Sequence, residues 1–181
     1  MTQINKLIKH NTMKAVLALG SNLGNRIDNI FSAIKLLNNA NINVLKLSNF
    51  YETEPWGFDS QNWFINAACL VQTYLPPHKL LITLQNIEKK LGRKHKTLTS
   101  YTSRTIDLDI IFYENLIINT PQLTIPHPRL HLRNFVLFPL NDIVPNWRHP
   151  VLNLTVRQIL QQSRDSSKIY LYNIPAIASS K

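Results

Sequence analysis

The sequence predicts an α+β fold of the ferredoxin-like type, in which an antiparallel sheet carries helices and the C-terminal part of the chain adds further elements. Two observations favour this fold class. Strand-like and helix-like segments follow one another in the order strand, helix, strand, strand, helix, strand. The 181 residues, 44% of them hydrophobic, suffice for one core. We expect one domain over residues 14–163, an N-terminal extension over 1–13 and a C-terminal tail over 164–181.

The first half of the chain is expected to supply three strands and a helix. A short buried strand over 15–19 runs into a glycine-bounded turn over 20–24. Apolar residues then recur at helical spacing, at Ile27, Ile30, Phe31, Ile34 and Leu37. Further strands are expected over 44–53 and 64–73, separated by a loop at 54–59 in which a proline and a glycine interrupt any ladder.

The second half begins with a helix that opens at Pro76-Pro77, since proline is well placed in a first helical turn. Gly92 stands where a glycine commonly ends a helix. A polar loop over 93–103 follows and leads into a strand over 105–113. We expect 116–119 to return beside that strand as a short hairpin partner.

After Pro126 the sequence predicts one or two helical pieces up to Val144 and another over 155–162. The apolar residues 169–174 fit two descriptions, an edge strand or a disordered segment. The sequence leaves both open.

The net charge of +10 indicates an anionic partner. Nucleic acid, an anionic membrane surface and a polyanionic small substrate are the alternatives. Part of the charge lies at the chain ends, where it is usually solvated. The rest clusters between Arg93 and Arg104, next to a pair of aspartates, and this combination is the more informative feature.

The sequence predicts a cytoplasmic protein with no membrane partner. No apolar run approaches the roughly 20 residues that span a bilayer, and the basic N-terminal residues are not followed by a signal-peptide core. The single cysteine, Cys69, cannot form an internal disulfide, which fits a reducing compartment. It lies in an apolar run, so we expect a buried and unreactive thiol.

Two aspartates occupy alternate positions of the strand expected over 105–113. Side chains alternate along a strand, so Asp107 and Asp109 share one face while Leu108 points to the core. Two carboxylates so placed repel each other unless cations lie between them. Mg²⁺ prefers oxygen ligands, and two metal ions can clamp the oxygens of an in-line phosphoryl displacement. A solvated pair on an exposed sheet face remains the plainer alternative for this motif alone.

Basic residues precede the aspartates and suit a triphosphate: Arg93, Lys94, His95, Lys96 and Arg104. A run of this kind is more often simply solvated. Together with the aspartates it favours a metal–nucleotide site. The sequence has neither a Walker-type nor a G-x-G-x-x-G glycine pattern, so a nucleotide would not be bound by a P-loop.

Six segments, in this order along the chain, resemble the hydroxymethyl-dihydropterin pyrophosphokinase family. They are Gly20-Ser21-Asn22-Leu23-Gly24, Phe50-Tyr51-Glu52-Thr53-Glu54-Pro55, Phe64-Ile65-Asn66-Ala67-Ala68, Gly92-Arg93, Arg104-Thr105-Ile106-Asp107-Leu108-Asp109 and Pro126-His127-Pro128-Arg129. The resemblance covers about Lys14 to Gln162. It implies a ferredoxin-like fold, ATP as co-substrate, two Mg²⁺ ions and a dihydropterin substrate.

The resemblance also implies roles for individual residues. Asp107 and Asp109 match the metal-bridging pair and, with Arg93 and Arg104, are the expected catalytic residues. The expected pterin-binding residues are Thr53, Pro55, Phe64, Asn66 and Phe135. The expected ATP-binding residues are Arg93, Lys96, Arg104, His127 and Arg133.

The sequence departs from the family pattern in the loop before the aspartates. The family commonly has G-R-x-R and R-W-G-P-R there, whereas this chain reads Gly92-Arg93-Lys94-His95 and Ser100-Tyr101-Thr102-Ser103-Arg104. An arginine and a tryptophan are therefore replaced. We expect the loop over 93–103 to act as a lid that orders over both substrates.

Two rival functions belong to other classes. A basic ferredoxin-like domain can bind RNA through aromatic residues on its sheet, but here two aspartates are expected to face outward on the strand concerned. A catalytically inactive interaction domain is disfavoured by the intact Asp107/Asp109 pair. We therefore expect small-molecule partners alone, with no nucleic acid, and a monomeric chain.

Overall fold

The computed structural model describes residues 12–57, 61–93 and 103–174. Its strands are β1 (Met13–Ser21), β2 (Asn43–Leu47), β3 (Phe50–Thr53), β4 (Phe64–Thr73), β5 (Asp107–Tyr113), β6 (Ile118–Asn119), β7 (Thr124–Ile125) and β8 (Ile169–Tyr172). Its α-helices are α1 (Arg26–Asn39), α2 (Pro77–Lys90), α3 (Asn134–Ile143) and α4 (Val156–Gln161), with a 3-10 turn at Leu130–Leu132. Within these ranges no helix combines the length and the apolar character needed to cross a bilayer.

The main sheet is antiparallel and has the strand order β5-β1-β4-β3-β8, with β2 also pairing with β4. This is the ferredoxin-like α+β arrangement that the element order predicts. The alternative of an edge strand near the C-terminus is also the one observed, because β8 pairs with β3 from Ile169 to Tyr172.

The single strand predicted over 44–53 is wrong, because the structure breaks it into β2 and β3. Leu47 pairs with Cys69 and Tyr51 pairs with Asn66, so this side of the ladder holds one more residue than β4 does. Ser48 occupies the break: its N–H donates to the carbonyl of Ala68 at 2.9 Å, and its hydroxyl accepts from the Ala68 N–H at 2.8 Å. The side chain thus replaces a ladder bond, as in other β-bulges.

The predicted pairing of 116–119 with the strand before it is also wrong. In the structure Ile118 pairs with Ile125, so that β6 and β7 form a separate small sheet. The outer edge of β5 has another neighbour: the N–H of His127 donates to the carbonyl of Ile111 at 3.0 Å. Since that position is taken, the segment after Glu114 turns away from β5.

Helices cover both faces of the sheet. On one face α1 and α2 bury a core that includes Leu17, Ile65 and Leu108. On the other face α3 and α4 pack over Val16 and Leu70. The sequence predicted helices on one face with additions at the C-terminus, and these additions supply the second layer. Cys69 is fully buried, as predicted, and burial raises the pKa of its thiol to about 12, which disfavours the reactive thiolate.

The helix ends follow the predicted signals with small shifts. Asn25 caps α1 by accepting the N–H of Asp28 at 3.3 Å. Gly92 has φ +85° just after α2, a conformation that glycine adopts without strain. The turn predicted over 20–24 begins later than expected, because Gly20 and Ser21 still belong to β1.

Candidate active site

A cavity lies at one end of the sheet face that carries α3. Strand register assembles its floor: Gly20 pairs with Asn66 on one side and with Asp107 on the other. Residues at alternate positions of β1, β4 and β5 therefore point into the same space. The loop after β3 and the start of α3 form its walls.

Most of the sequence-predicted site residues line this one cavity: Thr53, Phe64, Asn66, Arg104, Asp107, Asp109, His127, Arg133 and Phe135. Arg93 joins them through an ion pair with Asp107. Pro55 belongs to the described chain but is not among the lining residues. Lys96, and the predicted lid apart from Arg93 and Ser103, lie outside the described residues.

The amide end of the cavity is tightly packed. Asn66 and Thr53 are both buried, and the Nδ2 group of Asn66 donates to the hydroxyl of Thr53 at 2.8 Å. This bond fixes the orientation of the amide. A Cβ atom on Gly20 would lie 2.9 Å from Oδ1 of Asn66, closer than such contacts normally occur. Glycine is therefore required here for a close approach of backbone and amide.

Aromatic rings line the same cavity. Phe64 comes from β4, and Phe135 comes from the first turn of α3. The guanidinium of Arg133 lies over two rings, with its carbon 4.4 Å from the centroid of Trp56 and 5.5 Å from that of Phe135. These distances are within the range of cation–π attraction. A flat apolar group and an anion could therefore be bound side by side.

The acidic end of the cavity is neutralised by arginines. The carboxylate of Asp107 accepts from Arg93 and from Arg104, each at 2.5 Å. The guanidinium of Arg93 also pairs with Glu88. Burial lowers the pKa of Arg93, but the carboxylates of Asp107 and Glu88 more than offset this and raise it. Asp107 is thus part of an ion-pair network, in which the arginines offset the repulsion that the sequence predicts between the two carboxylates.

The comparisons with known proteins agree with this geometry. The model of the 7,8-dihydro-6-hydroxymethylpterin-pyrophosphokinase family, abbreviated HPPK, matches residues 16–145.

The chain belongs to this family.

The chain is also similar to individual proteins. It is 42% identical over 136 residues to the 2-amino-4-hydroxy-6-hydroxymethyldihydropteridine pyrophosphokinase of Porphyromonas gingivalis, covering 74% of this chain and 92% of that protein. It is 48% identical over 149 residues to the folic acid synthesis protein fol1 of Pneumocystis carinii. That match covers 82% of this chain but 20% of fol1, so the chain spans about a fifth of this larger relative.

Solved structures support the fold. A crystal structure of HPPK-DHPS from Plasmodium falciparum superimposes with a TM-score of 0.68 at 20% identity, covering 84% of this chain and 44% of that one. At this level of sequence identity, the structural similarity supports the fold alone.

The aspartate pair of this HPPK chain fits a hard divalent cation. Asp107 and Asp109 both line the cavity with their carboxylates, and carboxylate oxygens are the ligands that Mg²⁺ prefers. In the described ranges no group of three or more His, Cys, Asp or Glu side chains could hold an ion. A pair of carboxylates suits a metal that keeps waters and binds through substrate phosphates, which is the usual habit of Mg²⁺.

His127 lies beside the aspartates. Its pKa is lowered, first by burial and then by the charges of Arg133 and Arg129, while Asp109 acts in the opposite direction. The Nδ1 atom accepts the N–H of Arg129 at 3.3 Å. The backbone of His127 is anchored on β5 and follows the cis Ile125–Pro126 bond.

Sequence reasoning missed three residues that shape the site: Glu88, Asn22 and Trp56. Glu88 had a signal in the sequence, since it lies on the apolar stripe of α2 four residues after Leu84, where a charged side chain is unusual. Asn22 accepts the N–H of Arg104 at 2.6 Å and donates to the Ser103 hydroxyl at 3.0 Å. These contacts join distant segments, so periodicity could not reveal them.

Proposed function

We propose that this chain transfers the pyrophosphoryl group of ATP to 6-hydroxymethyl-7,8-dihydropterin, releasing AMP. One observation carries the proposal. In a single cavity, a slot lined by aromatic rings and an amide adjoins a wall formed by the two aspartates and by basic side chains. Membership of the HPPK family supports the same reaction. The net charge of +10 suits a polyanionic substrate.

In this reaction the hydroxymethyl oxygen of the pterin attacks the β-phosphorus of ATP. A new oxygen–phosphorus bond forms, the bond between the β-phosphorus and the bridging oxygen of the α-phosphate breaks, and AMP leaves. The hydroxyl proton passes to solvent. The protein has little covalent work to do, so positioning and charge stabilisation dominate.

The amide end of the cavity is our proposed pterin slot. Phe64 and Phe135 would stack on the two faces of the ring, which is worth roughly 0.5–1.5 kcal/mol beyond area burial. Asn66, held by Thr53, would hydrogen-bond the polar edge of the pterin. A site that offers such bonds rejects flat apolar molecules, because its buried amide would lose its partner. Pro55 would contribute through the backbone of the adjoining loop.

The acidic end is our proposed nucleotide site. Arg93, Arg104, Arg133 and His127 would bind phosphate oxygens, with Lys96 as a further candidate. Asp107 and Asp109 would hold two Mg²⁺ ions, which supply charge neutralisation to the transferred group when bound. A cation on Asp107 would compete with Arg93 and Arg104 for the same oxygens. The arginines would then be available to the phosphates.

The proposal also includes the cellular location, the oligomeric state and the domain bounds of the protein. We infer a cytoplasmic monomer with a catalytic domain over 14–163. Residues 164–181 form a tail in sequence, yet β8 within them belongs to the sheet. Size-exclusion chromatography with light scattering tests the monomer, and a chain ending at 163 tests whether β8 is needed for stability.

The decisive experiment follows the products. The purified chain is incubated with ATP, Mg²⁺ and 6-hydroxymethyl-7,8-dihydropterin, and nucleotides are separated by chromatography. We expect AMP in equal amount to pyrophosphorylated pterin. Reactions without pterin, and with an Asp109→Asn variant, are the controls. Formation of ADP in place of AMP would identify an ordinary kinase and overturn the proposal.

A further inference from the structure

Glu88 is a buried carboxylate that the proposed reaction does not use. It lies in the last turn of α2, and its side chain is 7% exposed. A carboxylate in such a place is costly unless charged or polar groups compensate it. Its partners therefore show what the residue is for.

The contacts of Glu88 reach two separate parts of the site. Its Oε1 atom accepts the N–H of Leu108 at 2.8 Å. Leu108 stands between Asp107 and Asp109, so this bond holds the edge of β5 at the aspartate pair. The same oxygen pairs with the guanidinium of Arg93, whose backbone N–H also donates to the Glu88 carbonyl at 3.0 Å.

Arg93 therefore forms ion pairs with two carboxylates that differ in their exposure. Asp107 lines the cavity, and its side chain is 21% exposed, whereas the Glu88 side chain is 7% exposed and does not line the cavity. A guanidinium has several N–H donors and can bind both at once. When Asp107 engages a cation, as the proposed function requires, Glu88 still anchors Arg93 next to the strand that carries the aspartates.

We propose that Glu88 is a positioning residue for the reaction: its buried carboxylate anchors Arg93 beside the phosphates and ties this arginine to the strand that carries both aspartates. The inference rests on the proposed function. The buried carboxylate needs a charged partner in addition to the Leu108 N–H, and here that partner is Arg93, which also pairs with Asp107. The second, charged partner adds a link from the helix to the nucleotide side of the cavity.

The test separates the charge of Glu88 from its hydrogen bond to the strand. Glu88→Gln keeps an oxygen for the Leu108 N–H but loses the ion pair. We expect its affinity for a non-hydrolysable ATP analogue, measured by calorimetry, to fall about ten- to hundredfold, the range for a lost hydrogen bond to a charged group. The affinity for pterin should stay within about twofold. Unchanged nucleotide affinity would overturn the inference.

Glu114→Gln is a matched control at the other end of β5. Glu114 also accepts a backbone N–H, that of Lys14, at 2.5 Å, but it does not line the cavity. This variant should bind both ligands like the wild type. If Glu88→Gln does not fold, Glu88→Asp replaces it in the test. The shorter side chain keeps the charge but moves it away from Arg93, and the same selective loss of nucleotide affinity is expected. Equal losses for both ligands would indicate a structural role and overturn the inference.

A double-mutant cycle tests whether Glu88 acts through Arg93. In an Arg93→Ala background, Glu88→Gln should cause no further loss of nucleotide affinity. Fully additive losses would contradict the proposal. Because these measurements need no turnover, they are independent of the product assay: absence of AMP from the wild type would refute the proposed function, whereas additivity would refute the role of Glu88.

Discussion

Two ends of one sheet face differ sharply, although the same strands build both. At the core end, Val16, Leu70 and Phe112 pack beneath α3 and α4. At the site end, the corresponding places hold Gly20, Asn66 and the aspartates, and they line a cavity. Strand alternation alone would treat the two ends alike.

The comparison shows that helix packing decides the role of each end of the strands: the covered end forms core, and the uncovered end forms the site. Helix α3 lies over one end and reaches the other only with its first turn, where Phe135 and Val136 contribute to the cavity wall. Beyond that turn the sheet is left accessible to substrates. Polar residues are tolerated at that end because they find partners, as Asn66 does in Thr53.

The largest expected effect separates chemistry from folding at the site end. Asp109→Asn should lower kcat by at least about 1,000-fold, because it removes charge where transferred phosphate is stabilised, while the free energy of unfolding changes by less than about 1 kcal/mol. Steady-state AMP release and urea denaturation measure the two quantities. Asp107→Ala should be equally inactive but less stable, since it leaves Arg93 and Arg104 without a shared partner. Near-normal turnover in either variant would refute the metal-site assignment.

The core end should show the opposite pattern. Leu137 of α3 is fully buried, so Leu137→Ala should lower the free energy of unfolding by about 2–5 kcal/mol through lost burial and a cavity. The folded fraction should keep kcat within about twofold, because Leu137 does not line the site. Denaturation and active-site-normalised rates test this. A large loss of kcat in fully folded protein would mean that the two ends are not independent.

Gly20 tests how tightly the site end is packed. Gly20→Ala would place a methyl group against Oδ1 of Asn66 and displace the amide, so we expect about tenfold weaker pterin binding and a stability cost of about 1–3 kcal/mol. Gly24→Ala is the control, since open space surrounds the added atom and the backbone strain at φ +64° is its main cost. Unchanged pterin affinity in Gly20→Ala would show that the amide does not contact the pterin.

Phe135 tests the division of the cavity into two subsites. Phe135→Ala should weaken pterin binding about tenfold, through lost stacking and burial, and nucleotide binding by about twofold through the loosened Arg133. Calorimetry with each ligand gives both values. Phe138→Ala, one turn later in α3 and packed on Tyr51, is the matched control. Equal losses for the two ligands in Phe135→Ala would identify a core residue.

His149 gives the smallest effect, at the core end. Burial lowers the pKa of its imidazole from 6.5, and His131 lowers it further; the neutral ring accepts the N–H groups of Val151 and Leu152 at 3.2 and 3.1 Å. Because the pKa of His149 is depressed in the folded state, the stabilisation that the neutral ring provides is fully present above pH 6.5. It is lost as the pH falls through the folded-state pKa. Each unit of depression is worth about 1.4 kcal/mol.

The matched variant for this pH effect is His149→Asn, which keeps an acceptor but does not titrate. Urea denaturation at pH 7.5 and 5.0 should show a smaller decline in stability for the variant than for the wild type. Equal declines in both proteins would exclude His149 as the source of the acid sensitivity.

The sequence was informative wherever a property is local. The bounds predicted for β4, 64–73, are those observed, because a loop with Pro55 and Gly57 lies before this segment and the proline pair Pro76-Pro77 lies after it. The proline pair set the start of α2, and Gly92 its end. The alternation of Asp107 and Leu108 placed one in the cavity and the other in the core, since the pleat admits no other arrangement.

Tertiary structure decided what depends on partners distant along the chain. The break at Ser48 requires the backbone of Ala68, and the position of β6 follows from His127 occupying the edge of β5. The burial of Glu88 was signalled by its place on an apolar stripe, yet its partners were not, because Leu108 meets it only once α2 packs beside β5. Sequence thus determined the elements and the chemistry of the site residues. Packing decided which of those residues lie beneath α3 and which line the cavity, because cover by a helix is a property of the assembled layers and not of any one strand.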